Sequence, residues 1–357
     1  MPISSSSAPL AAVLDELTIE GAAELTEHLE NGSLKCFACG HRCLINDGKR
    51  GICKVRFNEG GELRVPANYV AALACDPTEK KPFFHVLPGS DTLTFGMLGC
   101  DLHCAYCQNW LTSQALRDDS AGTKPTLVSA ERLVTMAQAY GASIVGSSYN
   151  EPLITAEWAV DVFMKARPAG FKTAFISNGN ATPQVLDYLR PWTDCYKIDL
   201  KSMSDKNYRK LGGVVDNILD TVKMVHEREF WEEIVTLIIP GFNDSIDELK
   251  RAADFIAKVS RDIPWHVTAF HQDYRMTENS NTTAEQLIAA CEIGREAGLN
   301  YVYAGNLPGK VGRWEHTYCP GCEELLVQRY GYVIRQVKVT SEGRCPKCHT
   351  LIPGIWK

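Results

Sequence analysis

Eleven of the fourteen cysteines in this 357-residue chain fall into three groups: Cys36, Cys39, Cys43 and Cys53; Cys100, Cys104 and Cys107; and Cys319, Cys322, Cys345 and Cys348. Without a secretory leader, cysteines clustered in this way point to metal ligation and not to disulfides. The middle group has the spacing C-x3-C-x2-C. Three thiolates on one loop can ligate three irons of a cubane and leave the fourth iron open, as a catalytic centre requires. The competing reading is a structural zinc site with a distant fourth ligand. Position favours the cluster, because the motif directly follows a short apolar run, Thr92 to Phe95, read as the first strand of a βα array. Active sites in α/β folds gather at the C-terminal ends of such strands.

The last group forms two CPxC knuckles, Cys319-Pro-Gly-Cys322 and Cys345-Pro-Lys-Cys348. Four thiolates at this spacing close a tetrahedral site, read here as zinc, with mononuclear iron as the minor alternative. The first group, C-x2-C-x3-C-x9-C, is compatible with zinc or with a second Fe–S cluster. Cys75, Cys195 and Cys291 stand alone and read as small buried apolar residues.

The elements that must position these groups follow from the patterning. The spacing predicts an amphipathic helix through Leu14, Leu17, Leu25 and Leu29. Beyond Asp91, strands at Ile144 to Tyr149, Lys172 to Ser177, Cys195 to Leu200, Ile234 to Ile239 and Trp265 to Phe270 alternate with helices. Those helices are expected from Ser129 to Tyr140, Ile154 to Lys165, Thr182 to Leu189 and Asn217 to Arg228. Two more open at the capping-box patterns Ser245/Glu248 and Thr283/Gln286. About six such alternations imply βαβ units and a parallel sheet, and periodicity alone does not separate an open doubly wound sheet from a partial barrel. After Gly305 the pattern gives way to a β-rich stretch, Tyr332 to Val339. The organisation is therefore a tail and helix over 1–30, a metal-binding module with four cysteines over 31–70, an α/β core over 71–305 and a metal-organised appendage over 306–357.

The net charge of −6 and the absence of a basic run argue against nucleic-acid binding. No apolar run is long enough to span a membrane, and the Ser-rich start, Met1 to Pro9, lacks the marks of a signal peptide. The chain is read as cytoplasmic.

C-x3-C with an aromatic residue, Tyr106, before the final cysteine resembles the signature of the radical S-adenosylmethionine (SAM) superfamily. The wider context, including Tyr149-Asn150-Glu151-Pro152, Lys197-Ile198-Asp199-Leu200-Lys201 and Phe270-His271-Gln272-Asp273-Tyr274, is similar to the activating-enzyme branch typified by pyruvate formate-lyase activating enzyme. It is more similar still to the radical SAM member of the AmmeMemoRadiSam system. The resemblance implies a partial (β/α)6 barrel with Cys-rich appendages at both ends. It also implies a [4Fe–4S] cluster that reductively cleaves SAM to a 5′-deoxyadenosyl radical for hydrogen abstraction. Glu151, with Asn150, would meet the SAM amine, although the family's two preceding glycines are missing here. Asn178 would contact polar groups of SAM, Lys201 its carboxylate with Asp199 orienting the lysine, and His271 the adenine. Ile176 stands where activating enzymes often carry an acid. Flavodoxin or ferredoxin is the expected reductant, and Memo-type and AMMECR-type proteins are the expected partners. The competing functions are radical modification of a small molecule or a non-glycyl side chain, and a non-catalytic zinc-binding adaptor.

Overall fold

The computed structural model describes residues 9–357; the Ser-rich start up to residue 8 lies outside the described residues. Eight strands form the central sheet: β1 (Ala72–Pro77), β2 (Asp91–Gly96), β3 (Ile144–Ser147), β4 (Lys172–Ser177), β5 (Cys195–Asp199), β6 (Trp231–Ile238), β7 (Trp265–Ala269) and β8 (Val302–Gly305). They lie side by side in chain order. β1 pairs antiparallel with β2, and every later neighbour is parallel. A doubly wound sheet reverses its strand order at a switch point. No reversal occurs here, so the winding is that of a barrel left open between β1 and β8.

The parallel strands number seven, one more than expected, and β1 adds an antiparallel edge. Both additions were hard to see from sequence. Ala72–Pro77 is half-buried along its whole length and ends in proline, and Val302–Gly305 is only four residues long.

The outer helices begin where side chains cap them. Ser129 accepts the Arg132 N–H, and Thr182 accepts that of Val185 with Pro183 at the first helical position. Thr283 and Gln286 make the reciprocal capping box. Ser245 does not: its hydroxyl accepts the Glu248 N–H, but the Glu248 carboxylate is taken by Ser202 Oγ and the Met203 N–H (2.8 Å). A tertiary demand there overrides the local motif. The helix expected through Leu14 to Leu29 is also corrected. Only Leu10–Asp15 is α-helical, and the chain then gives strands Thr18–Glu20 and Thr26–His28 to two small antiparallel sheets, with one 3-10 turn, Ala23–Leu25, between them. Pairing with Glu62–Pro66 and Leu34–Cys36 satisfies those backbones, while Leu14 and Leu25 are still buried.

The two appendages dock through buried charge. At the N-terminal side Arg56, 1% exposed, makes a bidentate pair with Glu157 at 2.7 Å for both bonds. At the C-terminal side the antiparallel strands Thr317–Tyr318, Leu325–Tyr330 and Val333–Val337 pack Leu326 and Val327 with Phe84, Tyr301 and Tyr303. There Arg329 donates to the Phe84 carbonyl and Thr317 Oγ1, both at 2.8 Å, and His85 bridges the Pro353 carbonyl (2.7 Å) and Tyr303 Oη (2.6 Å).

Removing one partner of a buried ion pair strands the other charge. Glu157→Gln is expected to lower stability by about 3–5 kcal/mol in urea unfolding. The apolar pair Arg56→Met/Glu157→Leu is expected to recover most of that loss, and a cost below about 1 kcal/mol for Glu157→Gln would contradict the docking role.

Candidate active site

The cysteine loop leaves β2 through Gly99, whose φ is +96° and where a Cβ would lie 3.0 Å from Val55 Cγ1 and 3.3 Å from the Cys53 carbonyl oxygen. Only glycine satisfies both the conformation and the close approach. Cys100 follows, and then the fully buried Asp101. Asn178 Nδ2 donates to one Asp101 carboxylate oxygen at 2.7 Å and Asn180 Nδ2 to the other at 2.8 Å. The His103 N–H donates to the Leu211 carbonyl and the Arg275 N–H to the Ala105 carbonyl, each at 2.9 Å. Buried Tyr106 meets Phe242 edge-on. The loop is thus tied to the end of β4, to the helix Asp205–Leu211 and to the segment after β7.

Cys100, Cys104 and Cys107 face a cavity of about 410 Å³ in the mouth of the barrel. Burial pushes all three thiols up, that of Cys104 to about 12, so ionising them together needs a bound cation. Tyr106, Asn150, Glu151, Asn178, Asp199 and Lys201 line the same cavity. His271 does not. It stands exposed on the rim, with its Nε2 2.9 Å from the side-chain nitrogen of Gln108, which does line the cavity.

Glu151 accepts from Ser177 Oγ (2.7 Å), the Leu153 N–H (3.1 Å) and the Asn178 N–H (2.7 Å). Its carboxyl is raised to about 8, by burial first and then by the charge of Asp101. Asn150 is occupied with backbone, accepting the Met97 N–H and donating to the Glu151 carbonyl. Tyr149, at a position where the resemblance implies glycine, adopts φ +69°, a left-handed conformation costing a side-chain residue about 1–2 kcal/mol. Lys81 holds that tyrosine, donating to its hydroxyl at 3.1 Å with the ammonium 5.0 Å from the ring centre.

Asp199 lies between Lys197 and Lys201. Burial alone would raise its carboxyl, but the two ammonium groups, Lys197 first, hold it down at about 2. Two cations on one carboxylate leave the wall with a surplus positive charge. Sequence reading gave no role to Lys197, Asp101, Asn180 or Ser177. For Lys197 the signal was present in the alternation Lys197-x-Asp199-x-Lys201; the others act through partners remote in the chain.

At the other end of the molecule, Cys319 Sγ and Cys348 Sγ are 3.4 Å apart, and Cys322 Sγ and Cys345 Sγ 3.7 Å. A tetrahedral ion with Zn–S bonds of about 2.3 Å sets its sulfurs roughly 3.8 Å apart. Among the described residues, these four are the one group of three or more cysteine, histidine or carboxylate ligand atoms closing to within 4.8 Å of one another. A single metal ion fits this group. Its removal by a chelator is expected to cost several kcal/mol and lower the Tm by about 5–10 °C. An unchanged melting curve in protein shown by metal analysis to have lost the ion would contradict a structural role.

Among the described residues no helix is long and apolar enough to cross a membrane. The family model described as the radical SAM superfamily matches residues 95–256. The chain is 34% identical over 325 residues to the uncharacterized protein MJ0808 of Methanocaldococcus jannaschii, covering 90% of this chain and 96% of that one. It is 29% identical over 206 residues to pyruvate formate-lyase 1-activating enzyme of Escherichia coli K12, covering 54% of this chain and 80% of that one. Among solved structures, a domain of pyruvate-formate lyase-activating enzyme from Bacteroides vulgatus aligns with a TM-score of 0.41 at 22% identity, over 45% of this chain and 98% of that one. The matched stretch carries the cysteine loop and the ends of β3 to β6 that line the cavity: this chain belongs to the radical SAM superfamily and is similar within it to the pyruvate formate-lyase activating enzymes.

Proposed function

We propose that the chain reductively cleaves SAM at a [4Fe–4S] cluster held by Cys100, Cys104 and Cys107. When bound, that pair supplies a 5′-deoxyadenosyl radical able to abstract hydrogen from a substrate. The observation that carries the reading is the convergence of three thiols, a carboxylate and a surplus ammonium on one cavity. Glu151 is placed to accept from the SAM amine. Lys201, oriented by Asp199 at 3.2 Å, is placed to pair with its carboxylate. On the resemblance alone, His271 would turn from the rim toward the adenine. Walls of mixed apolar and polar side chains exclude water and fix the orientation of what binds between them.

Similarity to the E. coli activating enzyme supports formation of a glycyl radical on a partner protein. A second reading is radical modification of another substrate. It draws support from Tyr332 of the C-terminal appendage, which lines the cavity together with Lys81 and Asn306. An adaptor that only binds zinc would leave the shared cavity of Cys100, Cys104, Cys107, Glu151 and Lys201 without purpose. Flavodoxin or ferredoxin is the proposed electron donor, and proteins of the Memo and AMMECR types are proposed partners on the resemblance alone. Zinc is the proposed metal for Cys319, Cys322, Cys345 and Cys348, and zinc or a second Fe–S cluster is proposed for Cys36, Cys39, Cys43 and Cys53.

Under anaerobic reducing conditions, Cys104→Ala is expected to lower 5′-deoxyadenosine formation at least about a hundredfold while the circular dichroism spectrum stays as in wild type. Lys201→Met is expected to weaken SAM binding about tenfold, on the order of 1–2 kcal/mol, by calorimetry. Cleavage that persists in Cys104→Ala would overturn the assignment.

A further inference from the structure

A second cavity, of about 260 Å³, lies between the barrel and the C-terminal appendage. The cysteine loop leaves the C-terminal end of β2, whereas this cavity sits at the N-terminal end of β8, at the opposite edge of the parallel strands. One wall is the loop 298–301 that leads into β8. The other is the 3-10 turn Gly312–Glu315 with His316, Tyr318 and the start of the first knuckle, Cys319 and Pro320. The two cavities share no lining residue, so the chemistry of this one is independent of SAM cleavage. Its volume lies just below the range of about 300–1,000 Å³ usual for small-molecule sites, which sets the size of an occupant.

Three guanidinium groups, those of Arg261, Arg295 and Arg313, line the cavity against one carboxylate, that of Glu323. Arg313 Nη2 is 2.5 Å from one Glu323 oxygen and Arg295 Nη2 is 3.6 Å from the other. Both pairs are exposed, and exposed pairs exchange readily for a better anion. Asp262 accepts from Asn300 Nδ2 at 2.6 Å and does not line the cavity. Two positive charges on the wall are therefore unmatched. They are also held in place. Arg261 Nε donates to the Gly298 carbonyl at 2.7 Å, and Gly298 has φ +93°, with a Cβ there meeting the guanidinium at 3.3 Å. Arg313 lies 4.5 Å over the centre of the Tyr318 ring. His316 adds a donor of fixed tautomer. The Arg329 N–H donates to its Nδ1 at 3.3 Å, so the ring hydrogen sits on Nε2, which has no hydrogen-bond partner among the described residues.

We infer that this cavity binds a small phosphate monoester through Arg261, Arg295, Arg313 and His316. A monoester carries close to two negative charges at neutral pH and three acceptor oxygens, which match two surplus guanidinium charges and a ring of N–H donors. A monocarboxylate answers only one of those charges. Guanidinium presents its N–H groups as a planar fork suited to pairs of phosphate oxygens. The half-buried ring of Trp314 lines the same cavity and offers an apolar wall to the organic part of the ligand. Arg261 and Arg295 stand on the barrel, and Arg313 and His316 on the appendage. A phosphate bound between them joins the two pieces beside the knuckle of Cys319.

The test is isothermal titration of the full, metal-loaded chain, purified without oxygen, in chloride buffer at about pH 7.5, where the monoester is close to a dianion. Phenyl phosphate, inorganic phosphate and benzoate are the probes. Phenyl phosphate is expected to bind about tenfold more tightly than inorganic phosphate and at least about tenfold more tightly than benzoate. Arg261→Gln/Arg313→Gln is expected to weaken phenyl phosphate at least about tenfold, and Glu323→Gln, which removes the competing carboxylate, to tighten it about threefold. All three of these side chains are exposed, so the substitutions leave the core untouched. Phenyl phosphate that binds no better than benzoate, or equally well to the double variant, would overturn the inference. Equal affinity for phenyl phosphate and inorganic phosphate would assign the cavity to the free ion and overturn the monoester. The comparison of the three probes needs no variant.

Discussion

Asp101 stands beside Cys100 with none of its surface exposed, and amides from Asn178 and Asn180 fill both carboxylate oxygens. A buried carboxylate is tolerated only when its acceptors are satisfied, so the loop is fixed to the end of β4 by the cost of any other arrangement. The same residue reaches outward, since its carbonyl faces His41 and Asn180 in turn meets Gly40. Its charge also adds to the burial that pushes the Glu151 carboxyl up. Barrel, cysteine loop and N-terminal module are joined through this one group.

From that joint the electrostatics of the mouth follow. Glu151 and the pair of Asp199 with Lys201 lie at the ends of β3 and β5, on walls of one cavity, offering an acceptor and a donor suited to the opposite ends of an amino acid. Lys197 adds the surplus charge that leaves Lys201 free to bind an anion although it already touches Asp199. The appendages are part of this arrangement. The C-terminal hairpin brings Tyr332 to the opening between β1 and β8, and Arg329 ties that hairpin to the Phe84 carbonyl. The C-terminal piece that completes the open barrel has a small core of its own, in which Cys319 and Cys345 are buried with Leu326, Val327 and Ile352.

Much of this was legible in the sequence, and for a physical reason: cysteine spacing reports on geometry within a few residues of chain. The three groups, the βα rhythm and the Thr283 capping box are all local. Strand order is not local, so the choice between a doubly wound sheet and a barrel needed the structure. The Ser245 box failed because Glu248 answers a loop 45 residues away. The helix through Leu14 to Leu29 failed because strand partners outside the window claimed the backbone. Asp101 and Asn180 went unread because their meaning lies in a contact across 79 residues of chain. Tyr149 shows the converse case: the resemblance implies a glycine there, and the tyrosine holds a left-handed φ of +69°.

The central claim is that SAM binds the open iron of a cluster on Cys100, Cys104 and Cys107. The most direct measurement is electron–nuclear double resonance on the reduced protein with SAM isotopically labelled at its amino nitrogen and carboxylate oxygen. The account predicts hyperfine coupling from both labels, lost in Cys104→Ala. A cluster signal with no coupling to either label would contradict it.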